Sequence, residues 1–272
     1  MAASHAPAGR LSADARRVLW AQALRAFVYG FGAVLLGPTL ERRGFSSTAV
    51  GGVLTAVVAG TVLSSLAVGR WGDRVGRRRA YVWLYLALAA AGAAFAWSNR
   101  LWVLVAVALT GTLSTDAIES GPFTSLEQAM LAGELEGRQL VRGFGVYNAV
   151  AAAAGSLGAL AAGGPSLLRH LWSGGPSDQR FFLLFVPAAL AGGAVAWRLT
   201  DRVEAPASLS GAPRRRVLPS SRPVVLRLST LFAVDSFGGG FVVQSFIAYW
   251  LTARFGASSG TLGVVFFIAG IL

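Results

Sequence analysis

The residues of this chain best able to do chemistry are the few charged and hydrogen-bonding side chains set inside long apolar runs. Arg25 lies in the run 18–40, Asp116 and Glu119 fall near the end of the run 101–121, and Asp235 sits about ten residues into 225–251, ahead of Gly238, Gly239, Gly240 and Gln244. Such groups are costly in hydrocarbon and face a cavity or a partner. A carboxylate held there can exchange protons, which makes Asp116 and Asp235 candidates for a proton pathway. Glu119 shares a helix face with Asp116 three residues earlier. Two alternatives stay open at this level: Arg25 can snorkel to an interface where Glu119 also lies, and Asp235 can pair with a helix outside this chain. Tyr29, one turn from Arg25, and Asn148 offer hydrogen bonds to a solute, or pack helix against helix.

These groups must be positioned by membrane helices. The chain of 272 residues is 54% hydrophobic and only 13% charged, with a mean hydropathy of +0.59, whereas a soluble domain carries about 25% charged residues. Hydropathy predicts an all-α membrane protein. A tail, 1–16, precedes a six-helix half, 17–199, with spans at 18–40, 48–68, 80–97, 101–121, 141–164 and 181–199. The first run is too long for a signal-peptide core and lacks a clear cleavage site, so it stays as a span. Residues 122–139, with Glu127, Glu134 and Glu136, read as a partly helical connection, and 200–224, with four prolines and Arg214, Arg215 and Arg216, as a linker. A second half opens at 225–272 with a span 225–251 and a partial span 258–272. The last is too short for a bilayer, so the chain reads as truncated.

Between spans two and three stands GRWGDRVGRRR, residues 69–79. Its glycines allow a tight turn between two helices, and its five arginines mark a cytoplasmic loop. With the amino terminus inside, seventeen arginines fall in cytoplasmic segments and six outside, which satisfies the positive-inside rule. The expected setting is a bacterial inner (plasma) membrane. Asp73 is the lone acid of the stretch, and it is expected to contact Arg77, Arg78 or the first amides of span three.

The stretch resembles the loop 2-3 signature of the major facilitator superfamily, G-x-x-x-D-[RK]-x-G-R-[RK]-[RK], matched at Gly69, Asp73, Arg74, Gly76, Arg77, Arg78 and Arg79. The resemblance in hydropathy and loop charge extends over the whole chain. It implies two six-helix halves with a solute site between them, spans one and four lining the cavity, and hence Arg25 meeting Asp116 or Glu119. It also implies that Asp73 latches the first half to a helix of the second, which this chain lacks. Fifth-span glycines are similar to the antiporter motif of drug exporters, but the Gly-Pro step comes late, at Gly164-Pro165.

The function expected is a secondary transporter of a small solute working by alternating access, with the proton as coupling ion. The alternative is a non-transporting membrane scaffold or a remnant of a transporter. No nucleophile–base pair or phosphate loop points to an enzyme. With no cysteine and only His5 and His170, neither a disulfide nor a metal site is expected, and no cofactor. The partners expected are the lipid bilayer, a small solute and the missing second half; the net charge of +12 suits cytoplasmic loops and anionic lipid rather than nucleic acid.

Overall fold

Helices form wherever the apolar runs are long enough to need internal hydrogen bonding, because lipid offers none to an exposed backbone. The computed structural model describes residues 11–116, 121–135, 137–171, 177–204, 222–239 and 243–272. Its α-helices are α1 (Ala13–Arg42), α2 (Ser47–Val75), α3 (Arg77–Trp97), α4 (Leu101–Ala108), α5 (Gly121–Glu134), α6 (Gly137–Ala161), α7 (Gly164–Leu171), α8 (Phe185–Trp197), α9 (Arg222–Gly239), α10 (Gln244–Phe255) and α11 (Ser259–Ile271). Short 3-10 turns cover Asp178–Leu184 and Asp201–Val203. Five stretches among the described residues are long and apolar enough to cross a membrane. There is no strand among them.

Helix α1 is the centre of the bundle, packing against α6, α8 and α10. Ser12 caps its first turn, and its side chains are buried without interruption from Val28 to Leu40. The other helices leave large apolar side chains exposed, among them Leu66, Trp83, Trp102 and Val141, as lipid-facing surfaces do. Small residues set the closest crossing. A Cβ added at Gly158 of α6 would lie 1.9 Å from the Phe27 carbonyl oxygen of α1, so only glycine lets these two backbones touch.

Each end of α1 is stitched to its neighbours by polar groups. At one end Asp14 accepts from the Thr200 amide and pairs with Arg17 at 2.6 Å, and Ser12 donates to Glu134. At the other, Arg42 pairs with Asp178 at 2.5 Å and Arg43 donates to the Ser98 carbonyl.

Two spans expected to be continuous are broken. In the run 101–121, helix α4 ends at Ala108 and residues 109–116 are not helical; α5 then takes up most of the stretch 122–139 that reads as a connection. Phe123, Leu126, Glu127, Met130 and Leu131 are buried at helical spacing, and this apolar face, masked in the sequence by its glutamates, draws the segment into the bundle. The run 225–251 likewise divides into α9 and α10. The signature stretch is not an extended loop: α2 runs through Val75 and α3 starts at Arg77, so Gly76 alone joins them. Its φ of +96° is a conformation that side chains with a Cβ rarely adopt.

Candidate functional site

Three polar assemblies are built on this frame. The first lies inside the bundle, where α1, α3, α5 and α6 converge. Arg25 donates through one terminal nitrogen to Glu127 Oε2 at 2.6 Å, and the two side chains are 1% and 0% exposed. Glu127 also accepts from Tyr81 at 2.5 Å and from Tyr147 at 2.6 Å, so one carboxylate ties four helices. The guanidinium carbon sits 4.9 Å from the Phe123 ring centre and 5.4 Å from that of Tyr29, an additional attraction in a desolvated setting. Phe123 meets Tyr29, Tyr81 and Tyr85 edge-on. Tyr85 donates to the Ala21 carbonyl at 2.7 Å, and Gln22 donates to the Tyr147 carbonyl at 3.1 Å. Glu119 lies outside the described residues, and of the two acids expected to meet Arg25, Asp116 is corrected: Arg25 pairs elsewhere. Its partner is Glu127, an acid assigned by its neighbours to a connecting segment, because the break in span four moves the buried helix to a later part of the chain.

The second assembly is that break. Residues 109–116 between α4 and α5 expose carbonyls that lipid cannot satisfy, and other helices supply the donors. Ser64 of α2 donates to the Thr110 carbonyl at 2.6 Å, Tyr29 of α1 donates to that of Thr112, and Ser245 of α10 donates to that of Thr115 through both its amide and its hydroxyl, each at 3.0 Å. In the same direction, Asp116 Oδ1 accepts from the Gln244 amide at 2.9 Å, capping α10. The interrupted span four thus meets the start of α10, whose first donors all fall on its acceptors.

The third assembly surrounds Gly76. Asp73 pairs with Arg77 at 2.8 Å. The first two amides of α3 are held instead by Glu204, whose carboxylate accepts from Arg77 N at 2.6 Å and Arg78 N at 3.2 Å. Arg77 reaches the Ala129 carbonyl at 3.1 Å, and Arg78 reaches the Leu199 carbonyl at 3.0 Å and Asp201 at 3.5 Å. These residues link α2, α3, α5 and the exit of α8. A recess of about 320 Å³ opens beside them, lined by Asp73, Arg74, Arg79 and Glu204 among others.

Of the residues singled out in the sequence, Arg25 and Tyr29 join the first two assemblies, and Asp116 and Gln244 meet in the second. Gly76, Asp73, Arg77 and Arg78 form the third, with Arg74 at its rim and Gly69 within α2, facing open space. Asn148 and Asp235 are exposed on α6 and α9, apart from these groups. Glu119 lies outside the described residues. Sequence reasoning missed Glu127, Tyr81, Tyr85, Tyr147 and Glu204. Tyr81 and Tyr85 sit four apart in a helix, and their shared face was a readable signal; Glu204 had none. Among the described residues no group of three acids, histidines or cysteines could hold a metal ion.

Comparisons with known proteins agree with the architecture. The family model described as Major Facilitator Superfamily matches residues 18–272. An uncharacterized membrane protein of Saccharomyces cerevisiae is 26% identical over 289 residues, covering 94% of this chain and 64% of the relative. The chain thus spans less than two thirds of that relative's length.

Proposed function

Since this chain belongs to the major facilitator superfamily, we propose that it serves as a secondary transporter of a small solute, coupled to protons and working by alternating access, with the signature end and the amino terminus in the cytoplasm. The observation that carries this reading is the joint at Asp116. A carboxylate of the first half caps a helix of the second, at a place where two interrupted spans meet. Discontinuous helices of this kind supply ion and solute sites in transporters. Protonation of Asp116 weakens it as an acceptor for the Gln244 amide and loosens the contact between halves, which is the coupling that a proton-driven cycle needs. The arginine excess at the signature end supports the orientation. The chemistry gathered here is that of binding and conformational change, and the reading assigns no enzymatic step.

Hydrogen exchange in lipid vesicles tests the coupling. Lowering the pH should speed exchange at residues 244–248, after correction for intrinsic rates, and Asp116→Asn should abolish the dependence. Exchange that ignores pH in the unaltered protein would remove Asp116 as the coupling site. Transport itself is tested by solute-driven proton flux into dye-loaded vesicles over a panel of sugars, amino acids, organic anions and organic cations. A silent panel would favour a membrane scaffold.

A further inference from the structure

Helices α1 and α6 touch at the Gly158 crossing, and toward the signature end their seam opens into a groove of about 240 Å³ lined by Arg16, Leu19, Trp20, Ala23 and Val150. Apart from Arg16, which is exposed, the lining side chains offer apolar surface and one indole. A hydrated solute would find almost nothing to replace its water, whereas hydrocarbon would lose nothing by entering. Arg16 precedes Ala23 by seven residues, which is roughly 10 Å along the helix. Trp20 is 69% exposed, and Trp71, Trp83 and Trp197 are exposed at the same end, the placement of aromatic side chains at a membrane interface.

The charge on this end is unbalanced. Asp14 is engaged by Arg17 and Thr200, Glu134 by Ser12, Asp73 by Arg77, Asp201 by Arg78, and Glu204 by the amides of α3. Among the described residues no carboxylate pairs with Arg16.

We propose that the groove holds an anionic phospholipid, with the phosphodiester on the Arg16 guanidinium, the first methylenes of an acyl chain along Leu19, Ala23 and Val150, and Trp20 beside the chain just below headgroup level. A zwitterionic lipid brings its own cation to the phosphate and gains less from Arg16. The lipid fills a seam that the helices leave open, and its headgroup lies level with the arginine-rich corner at Gly76.

Trp20 is the reporter. In vesicles containing lipid brominated near the top of the acyl chain, the Trp20 emission is obtained as the difference between the unaltered protein and Trp20→Phe. Brominated phosphatidylglycerol should quench it at about fivefold lower mole fraction than brominated phosphatidylcholine, the ratio expected for one basic residue near the surface. Arg16→Gln should erase the preference and Arg16→Lys should keep it. Equal quenching by the two lipids, a preference that survives Arg16→Gln, or no quenching of Trp20 would each overturn the proposal.

Discussion

Two carboxylates flank the start of α5, and the protein uses them in opposite ways. Glu127 is fully buried and accepts from Arg25, Tyr81 and Tyr147, side chains on three helices of one half. Asp116 is part-buried and accepts from the Gln244 amide at the start of α10, 128 positions away in the chain. The contrast teaches that a charge in the membrane is not by itself a moving part. Three donors from the helices packed around Glu127 satisfy its carboxylate and tie four helices together. The Asp116 carboxylate instead reaches the start of α10, 128 positions along the chain, and ties that helix to the break in span four.

Removing Glu127 should be the most damaging change. Glu127→Ala leaves a guanidinium buried in the bundle, a loss of about 3–5 kcal/mol for breaking a buried pair. Unfolding in detergent should register it as a large drop in midpoint, and Arg25→Met combined with Glu127→Leu should recover much of the loss. A double variant no better than the single would show that the pair is more than a packing element, and would erase the contrast with Asp116.

Asp116→Asn should cost no more than about 1 kcal/mol, since an asparagine oxygen still caps α10. Membrane abundance and midpoint should stay near those of the unaltered protein while the pH response of the joint disappears. A fall in midpoint as large as that of Glu127→Ala would place Asp116 with the fixed group.

The corner at Gly76 sharpens the comparison on a smaller scale. Glu204→Ala removes the cap of α3 and should lower stability by about 1 kcal/mol, read as faster exchange at residues 77–80. Asp73→Asn removes an exposed i,i+4 pair and should cost a few tenths of a kcal/mol, roughly the worth of such pairs. If Asp73 acts as the latch that the family resemblance implies, Asp73→Asn should slow solute flux at equal abundance. Flux unchanged by that variant would leave Asp73 as a charged turn residue and nothing more.

How far the candidate site was legible follows from the range of each interaction. Arg25 was identifiable because a guanidinium in an apolar run is anomalous by itself. Its partner was not, because a continuous span four puts Asp116 at the height of Arg25, and the actual chain breaks at Leu109. That break is stable only with Ser64, Tyr29 and Ser245 supplying hydrogen bonds, residues distant in sequence and unremarkable where they stand. Glu204 was assigned to the linker for the same reason: a cap delivered from 127 positions away leaves no local pattern, unlike the Ser12 and Ser46 caps beside their own helices.

The sequence by itself determined that this is an all-helical membrane protein and that glycines turn the chain between its second and third apolar runs. Hydropathy, helical period and the steric freedom of glycine act over a few neighbouring residues, so they can be read along the chain. Only the tertiary structure decided that span four is two helices, that Glu127 rather than Asp116 pairs with Arg25, and that Asp116 caps α10. In lipid an exposed backbone group or a buried charge needs a partner, and which partner it finds depends on how distant segments meet in space.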